Sequence, residues 1–373
     1  MKRRFVSILL SIMLVTSGCL GQNRLDELTL VLSIGVDVKK NGELEIYSAV
    51  PVFQREAKKK MELLHVHASS FREGRDRLNN EANGLTETGK VQNIVIAKRV
   101  LQEKGLFDLM DVLYRDPKSS LKADLIMVDD PIERVMNVDV KDKPRFPVYL
   151  RELIRAGHTS EACVYTTARN VYDQFYEKGI TPYLTQVKLS ENKLQIAGTA
   201  LIDRRGYYVD SLNPEESIQL LILQQDTKHP IYMTAQFTEQ TFQNKDEESR
   251  SISYSVDYTY YDYKTSAKNG RFQFDLHFKY LIVLTEVLVK VDPIKDKMAM
   301  ERAIAAVMKQ KMEGVVAKLQ KKQVDPIGLG KYARAYAYEE WKKVEDDWGK
   351  AFSKAKISIH PEVKIISVGA LKK

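Results

Sequence analysis

Cys19 is the residue whose position in the sequence implies the most definite chemistry. It follows Ser17 and Gly18, small residues that let an extended segment enter a peptidase site. Its thiol is the nucleophile at that point that can accept a diacylglyceryl group. Cleavage by a signal peptidase between Gly18 and Cys19 would also free the Cys19 amino group, which is a further point for N-acylation. Because two acyl chains hold a protein stably on a membrane, we predict Cys19 as a lipid attachment site.

Residues 1–18 have the layout of a lipoprotein signal peptide. Positions 2–4 are basic, positions 5–15 are mostly apolar, and small residues follow up to the cysteine. The apolar stretch is too short to span a bilayer as an ordinary helix. One departure is Thr16, where such signals usually have Leu. The alternatives are a plain signal peptide with an incidental cysteine and an uncleaved anchor.

His65 and His67 are the first candidate for metal chemistry. Two histidines at positions i and i+2 lie on one side of a strand and could both ligate an ion. The neighbouring sequence supplies no clear third ligand, and no closed set of cysteines and histidines exists. We therefore expect polar residues at the edge of a strand or loop, and we predict no metal and no cofactor.

Two acidic clusters could in principle bind a hard cation. These are Asp129 with Asp130, and the run 345–347 (EDD). Both lie at the ends of predicted elements or on helix faces, where solvated charge is the common explanation. We expect no cation site at either.

The sequence contains no recognisable catalytic constellation. Residues 33–37 (SIGVD) lack the spacing of a phosphate-binding glycine loop, and the motifs GxxxxGK[ST], GxSxG and HExxH do not occur. Cys163 has His158 close in sequence, but a catalytic pair is defined in space, and we expect an inert thiol. The sequence therefore favours a protein that is not an enzyme.

Composition limits the class of protein further. Removing the signal leaves 355 residues, enough for two or three domains, and lowers the formal charge from +8 by three to +5. That mild charge, without a basic stripe interleaved with aromatic residues, does not indicate a nucleic acid partner. With Cys19 lipidated, Cys163 has no cysteine left to pair with, so we predict no intramolecular disulfide.

The distribution of helix and strand patterns predicts an α+β fold with three domains, built on mixed or antiparallel sheets with helices packed on them. Strands and helices alternate through a first domain, 19–145, which ends near a charged linker with two prolines. A smaller middle domain, 146–231, contains a meander of strands and a helix that Asn213 caps. The third domain, 232–373, contains antiparallel strands, two helices and a returning strand.

The third domain has the clearest patterns. Residues 252–261 and 271–280 alternate with period two, which predicts antiparallel strands with one buried face. In the first strand the predicted face is Tyr254, Val256, Tyr258 and Tyr260; in the second it is Phe272, Phe274, Leu276, Phe278 and Tyr280. A long helix beginning at Asp292 and Pro293 has an apolar stripe of Met298, Ile304, Met308, Met312, Val315 and Leu319. A second helix, 331–349, is predicted to bury Tyr332, Tyr336, Trp341, Val344 and Trp348.

Basic residues lie opposite the apolar stripe of the long helix. We expect a solvated face, and the alternative is contact with lipid headgroups or with a partner. The residues in question are Lys295, Lys297, Lys318, Lys321 and Lys322.

Nearly the whole chain resembles the GerC family, the C-subunit lipoproteins of spore germinant receptors. The segments that carry the resemblance after Cys19 are 24–28 (RLDEL), 31–37 (VLSIGVD), 89–97 (GKVQNIVIA), 114–117 (YRDP), 196–201 (IAGTAL), 213–221, 336–352 and 356–369. Their order and spacing make the match specific, although each motif alone is loose. Leu20 departs from the family, in which Trp often follows the lipidated cysteine.

The resemblance implies a non-catalytic, lipid-anchored receptor subunit at the outer face of the spore inner membrane. It implies two partners, a multi-spanning A subunit and a transporter-like B subunit, which together detect nutrients and trigger germination. Cys19 is the one functional residue that the resemblance assigns. The alternative function is a lipid-anchored solute-binding protein for a nutrient importer, a class that generally has two lobes of alternating strands and helices.

Overall fold

The computed structural model describes residues 28–53, 56–57, 59–82, 84–138, 143–228, 230–237, 242 and 251–368. Its strands are β1 (Leu28–Leu30), β2 (Ser33–Val38), β3 (Leu44–Pro51), β4 (Met61–Ala68), β5 (Leu85–Glu87), β6 (Asn93–Ala97), β7 (Asp124–Val128), β8 (Tyr183–Ser190), β9 (Lys193–Ile202), β10 (Tyr208–Leu212), β11 (Ile231–Gln236), β12 (Ser251–Lys268), β13 (Arg271–Val287) and β14 (Lys356–Ser367). Its α-helices are α1 (Phe71–Glu81), α2 (Lys98–Glu103), α3 (Phe107–Arg115), α4 (Ile132–Met136), α5 (Phe146–Thr159), α6 (Ala168–Tyr176), α7 (Pro214–Gln224), α8 (Lys297–Lys322), α9 (Leu329–Tyr336), α10 (Tyr338–Lys342) and α11 (Trp348–Ser353).

An eight-stranded mixed sheet forms the first half of the fold. Its strand order is β10-β9-β8-β7-β6-β2-β3-β4, and β2, β6, β7 and β8 run parallel to one another. The strands β2, β6 and β7 are buried along their whole length, as expected for parallel strands covered on both faces. Antiparallel strands complete both ends of the sheet.

This sheet contains strands from both sides of residue 145, where we placed the first domain boundary. The strands β8, β9 and β10 of the predicted middle domain extend the sheet that β2, β6 and β7 begin. The division into three domains stays a prediction. Sheets that combine antiparallel and parallel strand pairs, with helices packed against them, confirm the α+β class.

A four-stranded sheet, with the order β11-β12-β13-β14, forms the second half of the fold. The strands β12 and β13 make a long hairpin whose turn residues Asn269 and Gly270 both have positive φ angles. The predicted buried face of β13 is confirmed: Phe272, Phe274, Leu276, Phe278 and Tyr280 are all buried. The long helix α8 packs against β14 and places Met300, Met308 and Met312 in the same core.

A β-bulge makes part of the predicted face of β12 wrong. Val256 pairs with Ile282 and Tyr258 with Leu281, so β12 has one more residue than β13 at this point. The extra residue reverses the alternation. Tyr258 and Tyr260, which we predicted to be buried, are therefore 61% and 59% exposed.

The predicted helix 331–349 is also wrong as a single element. It is divided into α9, α10, a short 3₁₀ turn and the start of α11, because Ala337 leaves the helical conformation. The helix α9 packs on β12, whereas α11 packs on β13 and α8, and one straight helix does not contact both sets. Tyr336 is consequently exposed, while Trp341 and Trp348 are buried as predicted. Met298, at the start of α8, is likewise exposed rather than part of the apolar stripe.

Candidate functional site

The predicted lipid attachment site lies outside the described residues. Cys19 and the predicted signal peptide, 1–18, precede Leu28, the first residue that the structure describes. Their roles stay predictions. Within the described part of the chain, no helix is both long enough and apolar enough to cross a bilayer.

The structure brings the two histidines together with a carboxylate that lies far from them in sequence. His65 and His67 lie on the same face of β4, and Glu45 on β3 pairs directly with His67. Glu45 Oε1 lies 3.7 Å from His65 Nε2 and 3.9 Å from His67 Nδ1. One ligand atom from each of the three residues lies within 4.8 Å of the other two. We call these three residues the His–Glu cluster.

The rings of the His–Glu cluster are held by their neighbours. Tyr47 stacks on His65 with ring centroids 4.2 Å apart, and the rings of His65 and His67 meet edge to face at 4.6 Å. Lys39 Nζ lies 3.1 Å from His67 Nε2. Burial, and next the neighbouring His67, lower the pKa of His65, so its imidazole is neutral at pH 7.

Sequence reasoning found the two histidines but missed Glu45. The pattern 61–68 (MELLHVHA) alternates weakly, and we did not predict the strand β4 as an element. Its pairing with β3 depends on the antiparallel register, which places Glu45 opposite His67 across 22 positions. The detectable signal would have been the hydrophobic alternation of Leu64, Val66 and Ala68, which are buried on the opposite face.

The carboxylates of both predicted acidic clusters bind basic side chains or a backbone N–H group. Asp129 accepts a hydrogen bond from Lys98 at 2.8 Å, and Asp130 accepts one from the backbone N–H of Leu189 at 2.8 Å. In the second cluster, Lys178 lies 2.9 Å from Glu345 and 2.7 Å from Asp346. These carboxylates therefore form ion pairs and hydrogen bonds within the fold.

Cys163 is not arranged for nucleophilic chemistry. Its side chain is fully buried, and burial, together with the nearby Glu161, raises the pKa of its thiol to about 12. Because the thiolate is the nucleophile, this thiol is unreactive at neutral pH.

Two of the lysines on α8 contact a neighbouring segment of the same chain. Lys318 Nζ lies 3.0 Å from Glu216 Oε2 and 2.7 Å from the carbonyl oxygen of Ser211. Lys322 forms an ion pair with Asp210 at 3.3 Å. At these two positions the basic face connects α8 to β10 and α7 rather than to solvent.

A small, partly enclosed cavity lies between α1 and the eight-stranded sheet. Its lining includes Ile34, Ile46, Phe71 and Leu78, and its volume is about 20 Å³. That is room for about one water molecule. Cavities that hold a small organic ligand are roughly 300 to 1,000 Å³.

Two protein-family models match the chain, and together they cover most of it. The model described as "Spore germination protein N-terminal domain" matches residues 21–189. The model described as "Spore germination B3/ GerAC like, C-terminal" matches residues 197–369.

Curated relatives and a solved structure agree with these matches. The chain is 21% identical to "Spore germination protein GerQC" of Bacillus cereus over 99% of both chains. It is 21% identical to "Spore germination protein KC" of Bacillus subtilis (strain 168), over 93% of this chain and 90% of that one. The structure titled "Crystal Structure of the GerBC protein" is similar in fold, with a TM-score of 0.57 and 15% identity over 89% of this chain and 96% of that chain. The chain therefore belongs to the GerC family of spore germination proteins, whose two domain models are the ones matched here, and the predicted resemblance is confirmed.

Proposed function

We propose that this protein is a lipid-anchored, non-catalytic subunit of a spore nutrient germinant receptor. The observation that carries the proposal is the match of the two family models to residues 21–189 and 197–369. The first match begins two residues after Cys19, so the family body would begin directly at the proposed anchor.

The short connection to Cys19 supports partners in the same membrane. Leu28, the first residue of β1, is nine positions after Cys19 in the chain. Fully extended, nine residues span about 30 Å. The body would thus stay within that distance of the bilayer at the outer face of the spore inner membrane. The proposed partners are the multi-spanning A subunit and the transporter-like B subunit.

Two features of the described residues support docking over ligand capture or catalysis. The cavity beneath α1, of about 20 Å³, is far too small for a nutrient molecule, and three larger recesses among the described residues, of about 390 to 590 Å³, are open grooves on the surface rather than enclosed pockets. The acidic clusters are paired, and the thiol of Cys163 is protonated at neutral pH.

The receptor role is tested by deleting the gene and following spore germination. We expect the response to nutrients to be lost while germination by non-nutrient agents continues. Normal nutrient germination in the deletion strain would contradict the proposal. Capture of this protein from solubilised spore membranes would then identify the A and B subunits by mass spectrometry.

The anchor is tested by two cysteine substitutions compared under the same conditions. We expect Cys19→Ala to abolish labelling of the protein by palmitate and to release it from the membrane fraction, because the lipidated thiol is gone. Cys163→Ala is the matched control, since it removes the other cysteine of the chain from a buried site. Labelling that survives Cys19→Ala would refute lipidation at this residue without affecting the family assignment.

A further inference from the structure

We propose that Glu45, His65 and His67 form a binding site for a zinc-class divalent cation that joins β3 to β4. This inference concerns the body of the protein and is independent of the anchor and of receptor docking. It starts from the chemistry of the three side chains. Two imidazoles and one carboxylate are a common set of protein ligands for Zn²⁺ with a fourth position left open.

The separations within the His–Glu cluster suit an ion better than direct contact. Glu45 Oε1 lies 3.7 Å from His65 Nε2 and 3.9 Å from His67 Nδ1, and both separations are too long for hydrogen bonds. Ligand atoms that bind zinc tetrahedrally at 2.0–2.1 Å are separated from one another by about 3.4 Å. A small closing movement of the side chains would therefore place all three atoms on one ion.

The two nitrogens that face Glu45 are inaccessible to solvent and lack hydrogen-bond partners. This applies to His65 Nε2 and His67 Nδ1, although the two side chains are 35% and 38% exposed overall. Polar atoms shielded from water normally have a partner, and a bound cation would supply one. Because the two side chains are partly exposed, a small movement of the rings would open these nitrogens to an incoming ion.

The surrounding charges allow a cation but include one competitor. Glu133 contributes a negative charge at His65, whereas Lys39 contributes a positive one. Lys39 Nζ also lies 3.1 Å from His67 Nε2, and as an ammonium group it donates a hydrogen bond there. A metal on Nδ1 requires the proton of His67 to be on Nε2, so binding must displace Lys39. Glu43 Oε2 lies 3.9 Å from Lys39 Nζ, so the displaced ammonium group can pair with Glu43.

The position of the site defines what a bound ion would do. Among the described strands, β4 is the outermost of the eight-stranded sheet, and its hydrogen-bonded neighbour is β3. Because the ligands come from both strands, the ion would fasten this edge strand. Binding would raise the thermal stability of the folded protein by mass action.

The test is calorimetric titration of the metal-free, full-length protein with ZnCl₂ at pH 7.5. We expect one Zn²⁺ to bind per chain, and both Glu45→Gln and His67→Gln to weaken binding by at least about tenfold, as loss of even an outer-shell partner does. The matched control is His277→Gln. His277 lies on the other sheet, where it stacks on His360 at 4.6 Å near Asp275. Among the described residues, these three side chains do not bring their ligand atoms together as the His–Glu cluster does. Substitution of His277 should leave the affinity unchanged.

A second variant keeps the test independent of folding defects. Lys39→Met removes the competitor and a positive charge, so we expect binding about tenfold tighter, a gain that misfolding cannot produce. At the same concentration, Zn²⁺ should also raise the melting temperature of the wild type and of Lys39→Met by more than that of Glu45→Gln. Absence of binding, or equal affinity in the wild type and both ligand variants, would overturn the proposal.

Discussion

Glu161 is a buried carboxyl group whose ionisation the fold disfavours. It is 1% exposed, and one carboxylate oxygen accepts a hydrogen bond from the backbone N–H of Lys228 while the other has no partner. Burial raises the pKa of Glu161 from its ordinary value of 4.5 to about 7, and the nearby Asp226 adds to the increase. Protonation of Glu161 therefore favours the folded state.

The first prediction is a pH-dependent effect of Glu161→Gln on stability. The folded pKa is above the unfolded value, so the contribution of wild-type Glu161 is complete below pH 4.5 and is lost as the pH rises through about 7. The variant should be more stable than the wild type at pH 8 by about 1 to 2 kcal/mol, and the difference should shrink toward pH 5. Urea unfolding of both proteins at pH 8 and pH 5 measures this difference in the free energy of unfolding. A difference that is the same at both pH values would contradict the raised pKa of Glu161.

At the residue scale, the sequence identified individual candidate side chains but did not predict which of them lie together in the fold. His65, His67 and Cys163 were identified from residue type and local spacing. Glu45 was not, because its proximity to His67 depends on the register of β3 and β4. The pKa of Glu161 likewise depends on burial by distant segments, which no local pattern reports.

At the element scale, capping chemistry was predictable because it is local. Asn213 was predicted to cap a helix, and α7 begins directly after it, at Pro214. The Asn213 side chain accepts the N–H of Glu216 at 2.9 Å, and Glu216 accepts the N–H of Asn213 at 2.8 Å. The bulge in β12 was not predictable from alternation, since an extra residue within a regular pattern shows only once the partner strand is known.

The second prediction concerns this helix start. Asn213→Ala should lower the free energy of unfolding by about 1 to 2 kcal/mol, because the N–H of Glu216 loses its acceptor. The lost cap also frees Glu216, which pairs with Lys318 of α8. Asn213→Asp is the control that keeps an acceptor oxygen and should remain close to the wild type. Equal losses for the two variants in denaturant unfolding would show that capping is not the cause.

At the scale of the whole molecule, the two sheets are joined by contacts that single-element patterns do not reveal. The backbone N–H of Thr181, before β8, donates to the carbonyl of Asp325 at 2.9 Å. Arg334 on α9 makes two hydrogen bonds of 2.9 Å to Glu177. The partners in these contacts are 144 or more positions apart in sequence. Because local patterns do not report such distant pairs, the sequence predicted separate domains and did not predict the contacts that join them.

The third prediction tests this junction where the backbone of Gly330 packs against Gly179. The buried carboxylate of Asp325 fixes Gly330 by accepting its N–H at 2.9 Å, and it also accepts Trp348 Nε1–H at 2.8 Å. A Cβ on Gly330 would lie 2.7 Å from Gly179 Cα and 2.7 Å from Trp348 Nε1, so the two halves would have to separate. We expect Gly330→Ala to lower the free energy of unfolding by about 2 to 3 kcal/mol.

A matched glycine in α8 distinguishes this steric effect from a general effect of alanine. A Cβ on Gly314 meets no atom within 4 Å. Because alanine favours helix more than glycine does, Gly314→Ala should stabilise the protein by about 0.5 to 1 kcal/mol. Thermal and urea unfolding of both variants therefore give opposite signs if Gly330 keeps the two halves in contact. A Gly330→Ala variant as stable as the wild type would mean that the junction adapts to the added methyl group, and the close approach would then contribute little to holding the sheets together.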